Sequence, residues 1–212
     1  HVFHRVITKK THPNERFIGK LAILGLGYGC GWERFFQMVT TQARALNIPL
    51  QGLFDEDIAC NTVNTYRGFY AQIPKAWRQL DVWLQDIINN DNDRQYKDWG
   101  PVRLMSHRIR LPNGMYLRYP VSDPKLYGAK LLENITQGLA RIVVMQAAVR
   151  LAKQGLRFVA QAHDELVFVV PDDQVEASSK IIESAMICPP AWIKSLPLAV
   201  EIGVGQNYGE AK

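Results

Sequence analysis

The chain has 212 residues, 47% of them hydrophobic and 21% charged, a balance that supports a buried core and excludes a disordered or low-complexity polypeptide. Lys and Arg number 25 against 20 Asp and Glu, a formal charge of +5 that suits a polyanionic partner without requiring one. Cys30, Cys60 and Cys188 are odd in number and lack a CxxC pair, which excludes a disulfide framework and a zinc site and fits a reducing compartment.

Pro13 marks the boundary of the first predicted helix, which takes Asn14 as its cap and runs over 14–30. Gly25, Gly27, Gly29 and Gly31 weaken its end. A second helix is expected from about Gly31 to Asn47, closed by Pro49. Residues 55–90 carry Ile58, Val63, Tyr66, Phe69 and Tyr70, then Trp77, Leu80, Val82 and Trp83, at helical intervals, with Pro74 expected to break or kink the run. The polar stretch NNDNDRQYKD (89–98) is a predicted loop and the best internal boundary, dividing about 1–100 from 101–212.

Beyond the loop the hydrophobic period changes. Residues 107–120 read as two short strands around Pro112-Asn113-Gly114. A long helix follows over 129–154, then a second hairpin, LRFVAQA and LVFVVP, turning at His163-Asp164-Glu165. A helix over 173–187 and a last strand, PLAVEIGVG, complete the pattern. A helical upstream half followed by mixed strands and helices predicts an α+β fold. No apolar run reaches the roughly 18 residues a spanning helix needs. The chain opens on His1 rather than Met, as expected of one that was processed, trimmed or cut from something longer.

Three features carry possible chemistry. The alternating glycines 25–31 fit neither a dinucleotide fingerprint, because Cys30 and Trp32 stand where glycine is needed, nor a phosphate loop of the GxxxxGK[ST] type. Tight packing against neighbouring helices is their plain reading. Arg16, Lys20, Leu24 and Tyr28 are spaced by four and stay on one helical face. Two cations one turn apart can neutralise a triphosphate, and a ring further along can stack on a base. A solvated basic patch ending in a core tyrosine would give the same spacing. His163-Asp164-Glu165 places adjacent carboxylates at the tip of two apolar strands. Hard cations such as Mg²⁺ and two-metal phosphoryl transfer require such ligands. An ordinary acidic turn is the alternative.

RFIGKLAILGLGYG resembles the fingers-helix motif of family A (DNA polymerase I-like) DNA polymerases, with Arg16, Lys20, Tyr28 and Gly29 in register. QAHDELVFVVP is similar to that family's third palm motif, KLLENITQGLAR to its palm helix along the primer–template minor groove, and PLAVEIGVGQNYGEAK to its C-terminal strand and tail. The four motifs stand in the family's order and span nearly the whole chain. ILGLGYG and ENITQ look most like the bacteriophage branch. The resemblance implies a helical fingers subdomain at 1–100 followed by the C-terminal part of a palm, an antiparallel sheet with packed helices, at 101–212.

The resemblance also implies roles. Arg16 and Lys20 would bind the phosphates of the incoming nucleotide, and Leu24 and Tyr28 would line the nascent base pair. Gly29 would lie beside the template, and Lys130, Asn134 and Gln137 would face the duplex. Gln137 is suited to the minor-groove acceptors that every correct pair presents. Asp164, with Glu165 beside it, would hold catalytic Mg²⁺, and His163 would sit near the primer terminus. Leu24 departs from the family's usual aromatic residue, and the first palm motif, with its essential aspartate, is absent from the sequence. The expected activity is template-directed addition of deoxynucleotides to a primer. An upstream segment or partner chain would supply the other aspartate, in the cytoplasm of a bacterial host. An inactive nucleic-acid-binding remnant and part of a single-subunit RNA polymerase are the competing readings.

Overall fold

The computed structural model describes residues 6–8, 10–92, 94–119 and 125–211. Two units divide the chain: His1–Gln95 with Tyr119–Asn134, and Tyr96–Arg118 with Ile135–Lys212. The described residues mix helices with small antiparallel sheets, compatible with the α+β class.

The first unit is helical. Helix α1 spans Pro13–Leu26, α2 Trp32–Ala45, α3 Glu56–Phe69 and α4 Gln72–Trp83, the last running into a π-helical turn at Leu84–Ile88. Ile18, Leu21, Ala22 and Leu26 recur at three- and four-residue steps along α1 and are all buried. They pack with Phe35 and Val39 of α2 and with Ala59, Val63 and Tyr66 of α3. Phe54 closes this core, edge-on to Phe35 and stacked on Phe36, each with ring centroids 5.8 Å apart. Asp55 caps α3 by accepting the Ile58 N–H at 2.8 Å.

Three local expectations change here. Helix α1 starts at Pro13 without a side-chain cap, and Asn14 instead donates to the Pro49 carbonyl at 3.4 Å. The proline ring already holds a helical φ and lacks the N–H that a cap would satisfy. The helix also stops at Leu26 rather than near residue 30, because Gly29 turns the chain with φ 76°. Pro74 breaks nothing: the chain interrupts earlier, at Tyr70-Ala71, and Pro74 sits in the first turn of α4, where its missing N–H has no partner to lose.

In the second unit, strands β1 (Tyr96–Trp99), β2 (Val102–Met105), β3 (Arg108–Arg110) and β4 (Tyr116–Arg118) form an antiparallel meander. Here the predicted polar loop is shorter than expected, since Tyr96–Trp99 pairs with Val102–Met105. The predicted 107–120 hairpin forms as β3 and β4, with Gly114 at φ 86°; Pro120 lies outside the described residues. Leu104 and Ile109 are fully buried on one sheet face.

Helix α5 spans Gly128–Lys153, and its residues up to Asn134 belong to the first unit. Gly128 is required there, because a Cβ would collide with the Trp77 carbonyl oxygen. Strands β5 (Ala160–Ala162) and β6 (Glu165–Val167) form the second hairpin, and α6 spans Val175–Met186. Arg150 ties α5 to the end of α6 by donating to the Ala185 and Cys188 carbonyls at 2.8 and 2.9 Å. The expected strand at 197–205 is not formed. Leu196, Leu198 and Val200 alternate in exposure as a strand would, but no ladder among the described residues pairs with them.

Candidate active site

The four residues of the α1 stripe divide. Arg16, Lys20 and Leu24 are exposed on the helix and line one cavity of about 570 Å³, whose opposite wall is Thr62, Tyr66, Phe69 and Tyr70 at α3. Tyr28 lies past the end of α1 and does not line that cavity, although it too is exposed. Its carbonyl accepts the Tyr127 hydroxyl at 3.1 Å. The plainer alternative for this stripe, a solvated basic patch ending in a core tyrosine, loses only its second half, because Tyr28 keeps 43% of its surface accessible.

An arginine and a lysine one turn apart at the rim of an aromatic cavity can bind an anionic group beside a flat ring. The aromatic wall was legible only as helical periodicity, which reads equally well as core. Tyr66 and Tyr70 stand with ring centroids 5.0 Å apart, and Phe69 and Tyr70 4.8 Å apart. Burial, then the neighbouring Tyr70 and Glu133, push the Tyr66 phenol above its ordinary range, so it stays protonated at neutral pH.

Gly29 combines its positive φ with close packing: a Cβ there would lie 2.8 Å from the Ala129 Cβ. On α5, Lys130, Asn134 and Gln137 follow an i, i+4, i+7 spacing and share a helical face. Asn134 donates its amide to the Tyr119 hydroxyl at 3.3 Å.

At the second hairpin, His163 and Asp164 form the two-residue turn between β5 and β6, and Glu165 is the first residue of β6, opposite Ala162. His163 has φ 53°, the positive sign that two-residue hairpin turns demand. Its carbonyl accepts the Gln161 amide at 3.2 Å. Asp164 is exposed and Glu165 half-buried. The tail completes this corner: Tyr208 donates its hydroxyl to Glu165 Oε2 at 3.0 Å. Asn207 Oδ1 holds the tail turn by accepting the Gly209 and Glu210 N–H groups. Tyr208 was legible only as part of the tail motif, and its pairing with Glu165 was not, since the two lie 43 residues apart.

Among the described residues no group of three or more His, Cys, Asp or Glu gathers to hold a metal ion. Asp164 and Glu165 offer hard carboxylate oxygens, the donors Mg²⁺ takes in ones and twos when phosphates complete its shell.

Residues 136–210 match DNA polymerase family A. A DNA polymerase of Bacillus phage SP02 is 28% identical over an alignment covering 95% of this chain and 33% of the relative. A thermostable DNA polymerase I of Thermus filiformis is 36% identical, covering 68% of this chain and 17% of the relative. A DNA polymerase I of Synechocystis is 26% identical, covering 94% and 20%. The chain therefore spans a third or less of the length of these relatives. No described helix is long and apolar enough to cross a membrane.

Proposed function

This chain belongs to DNA polymerase family A, and on that premise we propose that it takes part in template-directed DNA synthesis, adding deoxynucleotides to a primer 3′-hydroxyl. The observation that carries the reading is the β5–β6 turn inside the matched segment, with Asp164 exposed at its tip and Glu165 held by Tyr208. Residues 1–100 serve as the fingers and 101–212 as the later part of the palm.

In the reaction the primer hydroxyl attacks the α-phosphorus of a deoxynucleoside triphosphate and pyrophosphate leaves. Arg16 and Lys20, exposed at the cavity rim, bind the triphosphate and meet the charge that grows on the departing pyrophosphate. Leu24 and Tyr28 bound the space for the nascent pair, and Gly29 lets the template pass close to the backbone. Lys130, Asn134 and Gln137 face the duplex. His163 positions the primer end. Asp164 and Glu165 are the residues that would hold Mg²⁺. When bound, that ion supplies positive charge beside the phosphoryl oxygens. The other carboxylate of the site comes from an upstream segment or partner chain, and the reaction takes place in the cytoplasm of a bacterial host.

The test is primer extension by the 212-residue chain, with and without a polypeptide carrying the first palm motif. Extension should require both. Robust extension by the chain alone would overturn the divided site, and none with both present would overturn the polymerase reading.

A further inference from the structure

The register of the β1–β4 meander gathers arginines that are scattered in sequence. It sets Arg103 opposite Arg110 and Arg108 opposite Arg118 on one sheet face, with Tyr96 at the edge of one row and Tyr116 at the far edge of the other. The other face carries Lys97 at its β1 edge and is apolar beyond it, with Leu104 and Ile109 fully buried and Leu117 packed near Gly138 of α5. The arginine face is thus the outward one.

Like charges directly opposite each other weaken a sheet. Two such pairs side by side break a local rule, as binding sites do. Asp98 is the acidic residue on this face, and it holds Arg103 through two bonds, Nε to Oδ1 at 2.6 Å and Nη2 to Oδ2 at 2.9 Å. That pairing leaves Arg103 lying over the Tyr96 ring, 4.3 Å from its centroid. Arg108 and Arg118 flank Tyr116 at 5.6 and 5.9 Å. Tyr96 and Tyr116 remain 56% and 40% exposed, so each has ring surface to offer.

We propose that this face is a platform for single-stranded DNA, its arginines meeting phosphates and Tyr96 and Tyr116 stacking on bases. Unpaired bases are needed to reach the rings, which selects a single strand over a duplex. The choice of DNA among polyanions rests on the polymerase reading above. The platform is separate from the residues assigned to nucleotide addition.

The experiment is an anisotropy titration of the full chain with a labelled oligothymidylate, without Mg²⁺ or nucleotide, across a series of salt concentrations. Arg110→Ala with Arg118→Ala should lower the slope of log affinity against log salt by about 1.4, two phosphates at about 0.7 each. Arg110→Lys with Arg118→Lys keeps the charge and should keep the slope, which separates lost contacts from lost folding. Tyr116→Ala should weaken binding about fivefold or more with the slope kept, the lower end for one base stack. An unchanged slope in the alanine pair, or equal loss for duplex and single strand in Tyr116→Ala, would overturn the platform. Extension is measured separately: the expected binding pattern in a chain that extends no primer even with the polypeptide carrying the first palm motif would discard the polymerase reading and leave the platform standing.

Discussion

Tyr208 donates its phenol to Glu165 Oε2 at 3.0 Å, so the tail fixes the orientation of the second carboxylate at the β5–β6 turn. Tyr208→Phe keeps the ring and removes that bond. Single-nucleotide incorporation by the completed polymerase should fall about tenfold, the scale of about 1.4 kcal/mol for a hydrogen bond to a charged group. Primer–template affinity should stay constant. An unaltered incorporation rate would show that the orientation of Glu165 is not used.

Asp164→Asn keeps shape and removes charge at an exposed turn position. Incorporation should fall by several orders of magnitude while DNA affinity changes little, because Lys and Arg contacts to phosphate dominate binding. Near-normal extension would return His163-Asp164-Glu165 to an ordinary acidic turn.

Lys20→Ala separates a triphosphate grip from a surface charge. As a surface charge its loss would cost little and leave nucleotide use unchanged. As a phosphate ligand its loss should lower kcat/KM for the nucleotide roughly a hundredfold, about 2.7 kcal/mol, with DNA affinity constant. Equal losses in both would make the α1 stripe a general basic patch.

Gly29 and Gly19 should respond to alanine with opposite signs. Gly29 has φ 76° and a Cβ there would press on Ala129, so Gly29→Ala should destabilise by at least about 1–2 kcal/mol. Gly19 lies inside α1 with nothing within 4 Å of a built Cβ, so Gly19→Ala should stabilise by up to about 1 kcal/mol. Urea midpoints of the two variants check this directly.

The Tyr119 phenol is raised above its ordinary range by burial, partly offset by the Asn134 amide. The folded state therefore favours the neutral phenol. Its contribution to stability is complete below the ordinary tyrosine pKa and is lost as pH rises through the folded value. Tyr119→Phe should flatten the alkaline limb of the stability profile. Asn134→Ala should move the phenolate absorbance titration of Tyr119 further upward, since the amide favours the charged form.

Much of this was legible along the chain. The motifs around Arg16, Lys20 and Asp164, the long helix α5 and the two turns at Gly114 and His163 all rest on spacing over a few residues, where helical and strand periods and turn chemistry act. The α+β pattern followed from the change of period near residue 100. What stayed hidden depended on partners distant in sequence. Tyr96–Trp99 has no strand alternation of its own and becomes β1 because β2 accepts it, whereas Leu196, Leu198 and Val200 alternate and find no ladder among the described residues. Strand identity is a property of a pair. The aromatic wall facing Arg16 and Lys20, the clasp of Tyr208 on Glu165 and the arginine rows of the sheet were likewise decided only when folding brought separate segments into contact. Local sequence sets which faces a residue can share, and pairing and packing select the residues that meet there.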